Sequence, residues 1–226
     1  MRREKILVVD VETAGGFARP LVYDLGFAVV ERSSGRVVET KSLVIDEVFY
    51  GMADKMSTAY YADKVPAYHE GIAAGAFRVV SFWDAWKMVR GIMRRHGITK
   101  VYAYNCSFDK GALDSTYKAI SGRRGSFFPT GTEFCDIWHM ACQTILRQPT
   151  FRKFATAHDM VSPCGNYRTS AEVAYAYITK CPTFEESHTG LDDVIIEAAI
   201  LNKIMRQKRK IDHGIIHNPW RIAQIA

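Results

Sequence analysis

Two carboxylates one residue apart close the first apolar run of the chain, Lys5-Ile-Leu-Val-Val-Asp-Val-Glu12. In an extended strand residues i and i+2 face the same side, about 6.5–7 Å apart along the chain. Asp10 and Glu12 therefore project together, while Val9 and Val11 face the other way. Carboxylates so placed repel unless a proton or a cation lies between them, and a hard divalent cation with oxygen ligands is the natural partner. Taken alone, the pair equally fits a strand that simply ends in solvent. Two later stretches carry further acids. In Tyr104-Asn-Cys-Ser-Phe-Asp109, at a strand-to-helix junction, Ser107 is expected to cap the helix and Asp109 to fall in its first turn. There an acid also complements the helix dipole without any further role. In Ser187-His-Thr-Gly-Leu-Asp-Asp193, Thr189 followed by Asp192 fits a capping box. That gives Asp192 a structural task, leaves Asp193 free to be a ligand, and sets His188 just outside the regular helix.

The elements that must position these residues follow from periodicity. The run 5–12 is apolar and β-branched, the pattern of a buried central strand whose end opens into a site. Residues 24–32 and 36–45 read as two more strands joined at Ser33-Ser34-Gly35, close enough for an antiparallel hairpin. The stretch 46–80 has a weaker signal. It is expected to be a partly helical insertion whose tyrosines serve either as a substrate-binding lid or as packing. Phe82, Trp86, Val89 and Met93 repeat at helical spacing and Gly97 supplies a stop. A strand over 100–104, a helix over 107–120, a strand over 133–137 and helices over 138–146 and 170–179 follow. The last helix, about 189–207, has Leu191, Val194, Ile195, Ala198, Leu201 and Met205 on one face. A hairpin plus strand followed by alternating helices and strands is an α/β layout with a mixed sheet, expected as one domain over 1–226.

Composition narrows the function classes less than the acids do. At 226 residues, 48% hydrophobic and 24% charged, the chain has the makeup of a soluble globular protein. No stretch approaches the roughly 18 apolar residues of a membrane span, and the four-residue apolar run before Asp10 is too short for a secretory signal. A cytoplasmic location is expected. The five cysteines are odd in number and lack C-x-x-C spacing, so neither a disulfide framework nor a zinc ribbon follows; Cys135, His139 and Cys142 match no standard zinc pattern. The net charge of +6 favours polyanionic partners such as nucleic acid.

Asp10, Glu12, Asp109 and Asp193, with a histidine five residues before the last, lie at a strand end, a strand–helix junction and a helix start. The set Val9-Asp-Val-Glu-Thr13, Asn105-x-x-Phe108-Asp109 and His188-x-x-x-x-Asp193 resembles the DEDDh family of 3′-5′ exonucleases. The resemblance spans about residues 5–205; 16–30 and 169–201 look most like bacteriophage-encoded members, for which the host cytoplasm would be the compartment. It implies a ribonuclease H-like fold, a mixed five-stranded sheet flanked by helices. It implies two divalent cations, Mg²⁺ or Mn²⁺, with Asp10 bridging them, Glu12 and Asp193 on the first and Asp109 on the second. His188 would be the general base that deprotonates the attacking water, its ordinary pKa near 6.5 suiting that role. Thr13, Asn105 and Phe17 would contact the substrate, Phe17 by stacking on a base, and Phe108 would pack beneath the site. The substrate would be single-stranded DNA or RNA, released as nucleoside 5′-monophosphates; oligomeric state and any polymerase association stay open. The chain departs from the family pattern at Ala14-Gly15-Gly16-Phe17 after the Glu-Thr pair, and at Gly190, where alanine is usual. The alternatives are a catalytically silent nucleic-acid- or protein-binding module of the same fold, and a haloacid-dehalogenase-type phosphatase. The latter wants Asp at the second acidic position, where this chain has Glu12.

Overall fold

The structure is a computed structural model that describes residues 4–16 and 18–225. Its strands are β1 (Lys5–Ala14), β2 (Leu21–Glu31), β3 (Val37–Ile45), β4 (Arg78–Val80), β5 (Lys100–Ala103) and β6 (Glu133–Asp136). They form one sheet in the order β4-β3-β2-β1-β5-β6. β1, β2 and β3 run antiparallel in turn, whereas β5 pairs with β1, and β6 with β5, in parallel. The mixed sheet is as expected, but it has six strands and not five. The addition is β4, three residues that pair in parallel with the end of β3, too short a run to show alternation.

Around the sheet lie α1 (Asp46–Phe49), α2 (Ala53–Met56), α3 (Val65–Ala73), α4 (Phe82–His96), α5 (Cys106–Ser121), α6 (Ile137–Gln143), α7 (Pro149–Ala157), α8 (Ala171–Thr179), α9 (Gly190–Met205) and α10 (Trp220–Gln224). The stretch 46–80 thus holds three short helices and β4. Both faces of the sheet are covered. Leu7, Val9 and Val11 of β1 join the core under α4 and α5; Ile6 and Val8 join the core under α6, α8 and α9. Asp10 and Glu12 continue the second set and so point toward α9.

Burying Ile6, Leu7, Val8 and Val9 contributes about 1.5–3 kcal/mol each. Two like charges some 6.5 Å apart repel by only about 2–3 kcal/mol at an effective dielectric constant near 20. Packing therefore wins, and the acids stay where the strand puts them.

The start of α9 is pressed onto β2 at a pair of glycines. A Cβ on Gly26 would lie 2.0 Å from the Gly190 carbonyl carbon and oxygen; one on Gly190 would lie 2.6 Å from the Gly26 nitrogen and 3.2 Å from the Asp10 oxygen. Gly190 stands where the family pattern has alanine because this helix start approaches the sheet too closely for a methyl group. The buried side of α9 is rotated from the expected stripe. Ile195 is exposed, while Gly190, Asp193, Val194, Glu197, Leu201 and Ile204 are buried. A helix rich in Ile, Leu and Ala offers several stripes, and the sheet selects among them.

Candidate active site

Because β1, β5 and β6 run in parallel, their carboxyl ends open on one edge, the usual place for a site in such sheets. Asp10, Glu12 and Thr13 come from the end of β1, where the register with β2 shifts after Glu12. At the end of β5 the chain turns into α5 through Asn105, at φ 66° and ψ 49°. Asn105, not Ser107, takes the capping position. No side chain caps the helix, and the Ser107 hydroxyl donates to the Asn105 side-chain oxygen at 3.3 Å. The Asn105 N–H donates to Asp136 at 3.2 Å, and Asp136 also accepts from the N–H of Trp138 at the start of α6. Asp109 falls in the first turn of α5 as expected, where its buried carboxylate feels the Val11 N–H of β1, which favours its charged form.

The opposite flank is the turn from Glu186 into α9. His188 sits in it at φ 56°, a left-handed conformation that costs a residue with a side chain roughly 1–2 kcal/mol. Asp192 holds the turn, accepting from the hydroxyls of Ser187 at 2.8 Å and Thr189 at 2.9 Å. The capping box is thus replaced. Thr189 makes no side-chain cap, and Asp192 grips hydroxyls where a capping box would place the Thr189 N–H. The buried Gly190 N–H, at the helix end and without a partner inside the helix, donates to Asp24 of β2 at 2.9 Å, and the same Asp24 oxygen accepts from the Tyr68 hydroxyl at 2.6 Å.

These elements enclose a cleft of about 400 Å³ lined by Asp10, Glu12, Thr13, Asn105, Asp109, His188 and Asp193 among others. All five of the principal candidates meet here, as do Thr13 and Asn105. Phe17 lies outside the described residues. Phe108 packs on the core and also lines the cleft. A ring nitrogen of His188 and carboxylate oxygens of Glu12 and Asp193 fall within 4.8 Å of one another.

Sequence reasoning missed three acids and left the tyrosines of 46–80 open between lid and packing. Glu186 lines the cleft; Glu197 is buried beneath it, one helical turn beyond Asp193. The signal for Glu197 was its i+4 spacing from Asp193 inside an otherwise apolar stretch. Asp24, at the expected start of a strand, is fully buried in the middle of β2. Tyr60 and Tyr61, from the stretch before α3, form the remaining wall, and the Tyr61 ring stacks on the His188 imidazole with centroids 4.0 Å apart and planes 14° apart.

The electrostatics are lopsided. No described residue lining the cleft is Lys or Arg. Burial, then mutual repulsion, raises the acids: Glu12 to about 9 (with Asp193 next in effect), Glu186 to about 8 and Asp193 to about 7. Asp109 rises to about 8 through burial, against the lowering effect of its own and the Val11 N–H. Asp10 is also raised by burial and then by the Glu197 charge, and Glu197 by burial and then by the Asp109 charge. His188 is pushed the other way, chiefly by burial and then by the Lys64 ammonium, which keeps its imidazole neutral near pH 7.

The donor set fits divalent cations. Asp10 Oδ2 and Asp193 Oδ1 are sealed from solvent with no hydrogen-bond partner among the described residues. Such oxygens cost several kcal/mol if ionised and uncompensated. Oxygen donors of high charge with no lining ammonium or guanidinium are what Mg²⁺ or Mn²⁺ requires.

Neither a protein-family model nor a curated protein sequence matches the chain. Solved structures do match it by fold. Exonuclease I from Methylocaldum szegediense superposes with a TM-score of 0.55 at 15% identity, covering 90% of this chain and 41% of that one. Escherichia coli exonuclease I in complex with a dA16 oligonucleotide gives 0.51 at 13%, covering 87% and 40%. The nuclease domain of 3′hExo, a DEDDh family member bound to rAMP, gives 0.55 at 11%, covering 94% and 98%. The chain spans about two fifths of the length of the exonuclease I chains and nearly all of the 3′hExo nuclease domain. The fold is that of the ribonuclease H-like exonucleases: a mixed α/β sheet flanked by helices.

Proposed function

We propose that this protein, read as one domain, is a metal-dependent 3′-5′ exonuclease that shortens single-stranded nucleic acid to nucleoside 5′-monophosphates. The observation that carries the reading is the convergence of Asp10, Glu12, Asp109 and Asp193 with His188 in one cleft whose described lining has no Lys or Arg. That the matched structures include an exonuclease I with bound oligodeoxynucleotide and a nuclease domain with bound rAMP supports it, without choosing between DNA and RNA.

Asp10, Glu12, Asp109 and Asp193 would hold two divalent cations, Mg²⁺ or Mn²⁺. Such ions, when bound, stabilise the charge on the attacking and leaving oxygens of a phosphodiester and offset the negative charge of the acids. The protein's own part is then threefold. The strand-end acids fix where the scissile phosphate can sit. His188, kept neutral by burial and Lys64, takes the proton from the attacking water; its proximity to Glu12 and Asp193 is suited to contact through one water. Thr13 and Asn105 line the path of the terminal nucleotide, and Tyr60, largely exposed at the cleft, offers a face for a base.

The test is digestion of single-stranded and duplex DNA and RNA, with Mg²⁺, with Mn²⁺ and with EDTA, followed by chromatography of the products. Release of nucleoside 5′-monophosphates that EDTA stops is expected. Tight binding of the strand with no mononucleotide released would instead indicate a silent binding module, and inorganic phosphate as the product would indicate a phosphatase.

A further inference from the structure

The stretch 46–80 touches the histidine-bearing turn at two separated points. The first is the Tyr61 ring, face to face with His188 at a centroid distance of 4.0 Å. The second is the Asp24 carboxylate, whose Oδ2 receives both the Tyr68 hydroxyl of α3 and the Gly190 N–H of α9. Tyr68 is fully buried, edge-on to Tyr23 at 5.4 Å and stacked on Phe77 at 4.9 Å, so this end of the stretch is anchored in the core. Tyr61, seven residues before it, is tethered to that anchor. The turn around His188 is clamped by Asp192, but its side chain is not so held. His188 sits between two exposed-to-half-buried hydroxyl residues at φ 56°, and no hydrogen bond of its ring is found among the described residues. What fixes the plane of the imidazole is the tyrosine face.

We propose that Tyr61 is a positioning residue for His188: its ring, anchored through Tyr68 and Asp24, sets the orientation in which the imidazole faces the cleft. The proposal rests on the reading of His188 as the general base. It gives the stretch 46–80 a task beyond the base-stacking face of Tyr60: to buttress the base. The phenolic oxygen is not needed for this; the ring face is.

The test uses the full chain and the variants Tyr61→Ala, Tyr61→Phe, His188→Ala and the double variant Tyr61→Ala/His188→Ala. A misplaced base costs on the order of tenfold to a hundredfold in rate without changing binding. Tyr61→Ala is expected to lower kcat by about that factor with KM changed less than about threefold, and Tyr61→Phe to restore kcat. In the His188→Ala background, loss of Tyr61 is expected to cost nothing further. By NMR, the His188 ring protons, shielded by the stacked tyrosine, should move downfield in Tyr61→Ala and stay in place in Tyr61→Phe. An equal loss of kcat in both backgrounds, or unmoved imidazole resonances, overturns the proposal. If the wild type hydrolyses no nucleic acid, the proposed function fails, and the imidazole resonances alone decide whether Tyr61 holds the ring.

Discussion

The two walls of the cleft are built by opposite means. The floor, Asp10, Glu12 and Asp109, is built on the central sheet: β1 is buried on both faces, and the buried Asp109 joins it from the first turn of α5. The flank, His188 and Asp193, hangs on a turn with a left-handed residue, clamped by the Asp192 carboxylate and leaned on by Tyr61. The floor concentrates negative charge that only protons or cations relieve. The flank carries a neutral imidazole, the base of the proposed function, whose value in that role depends on aim. Damage to the floor should therefore be close to all-or-none, and damage to the flank graded.

The largest effect is expected at the floor. Asp10→Asn or Asp109→Asn should lower hydrolysis on the order of a thousandfold or more, while circular dichroism shows an unchanged fold. His188→Ala should lower kcat by about a hundredfold or more with little change in KM. A loss confined to KM would place His188 in binding and not in proton transfer. Because its imidazole pKa is lowered, the acid limb of the rate profile should lie below the usual 6.5, with activity level above it.

Proton linkage reads the acids of both walls together. In the metal-free protein Glu12 stands near 9 against an ordinary 4.5. Between those values the folded protein keeps a proton that the unfolded chain has lost, so stability falls as pH rises through that window. Asp193, near 7, adds to the loss at the lower end of the range and is spent above it. Thermal melts without metal should therefore drop between about pH 5 and pH 9, and Mg²⁺ should reverse the trend. Calorimetry in buffers of different ionisation enthalpy should register proton release on Mg²⁺ binding at pH 7. A melt that rises with pH in EDTA would contradict the charge pattern.

Smaller effects belong to the seam between the walls. Gly26→Ala should cost about 1–3 kcal/mol, seen in denaturant unfolding, since its Cβ would meet Gly190 backbone at 2.0 Å. Asp192→Ala should release the Ser187 and Thr189 hydroxyls and lower turnover only about fivefold, equivalent to about 1 kcal/mol, with metal affinity unchanged by calorimetry.

The same contrast governs what could be read from the sequence. The floor was legible because it is local: an apolar β-branched run closed by Asp10 and Glu12, and an acid in the first turn of a helix. So was the pairing of His188 with Asp193, fixed by spacing along one turn. What escaped depends on contacts across the chain. Asp24 reads as the start of a strand until α9 docks on it. Glu197 is hidden by the surplus of apolar stripes on α9, and Tyr61 by its distance along the chain from His188. β4 has too few residues to declare a period, and α5 starts directly after Asn105 and not at Ser107, with the Asn105 N–H taken by Asp136 from across the chain.

The most direct measurement is the fragment ladder from a single-stranded oligonucleotide labelled at its 5′ end and incubated with Mg²⁺. The account predicts labelled products that shorten one nucleotide at a time from the 3′ end. It further predicts no shortening with EDTA or with Asp10→Asn, and none when the 3′ terminal linkages are phosphorothioate. Immediate release of a labelled mononucleotide, internal cleavage, or a ladder unchanged by EDTA and by Asp10→Asn would contradict it.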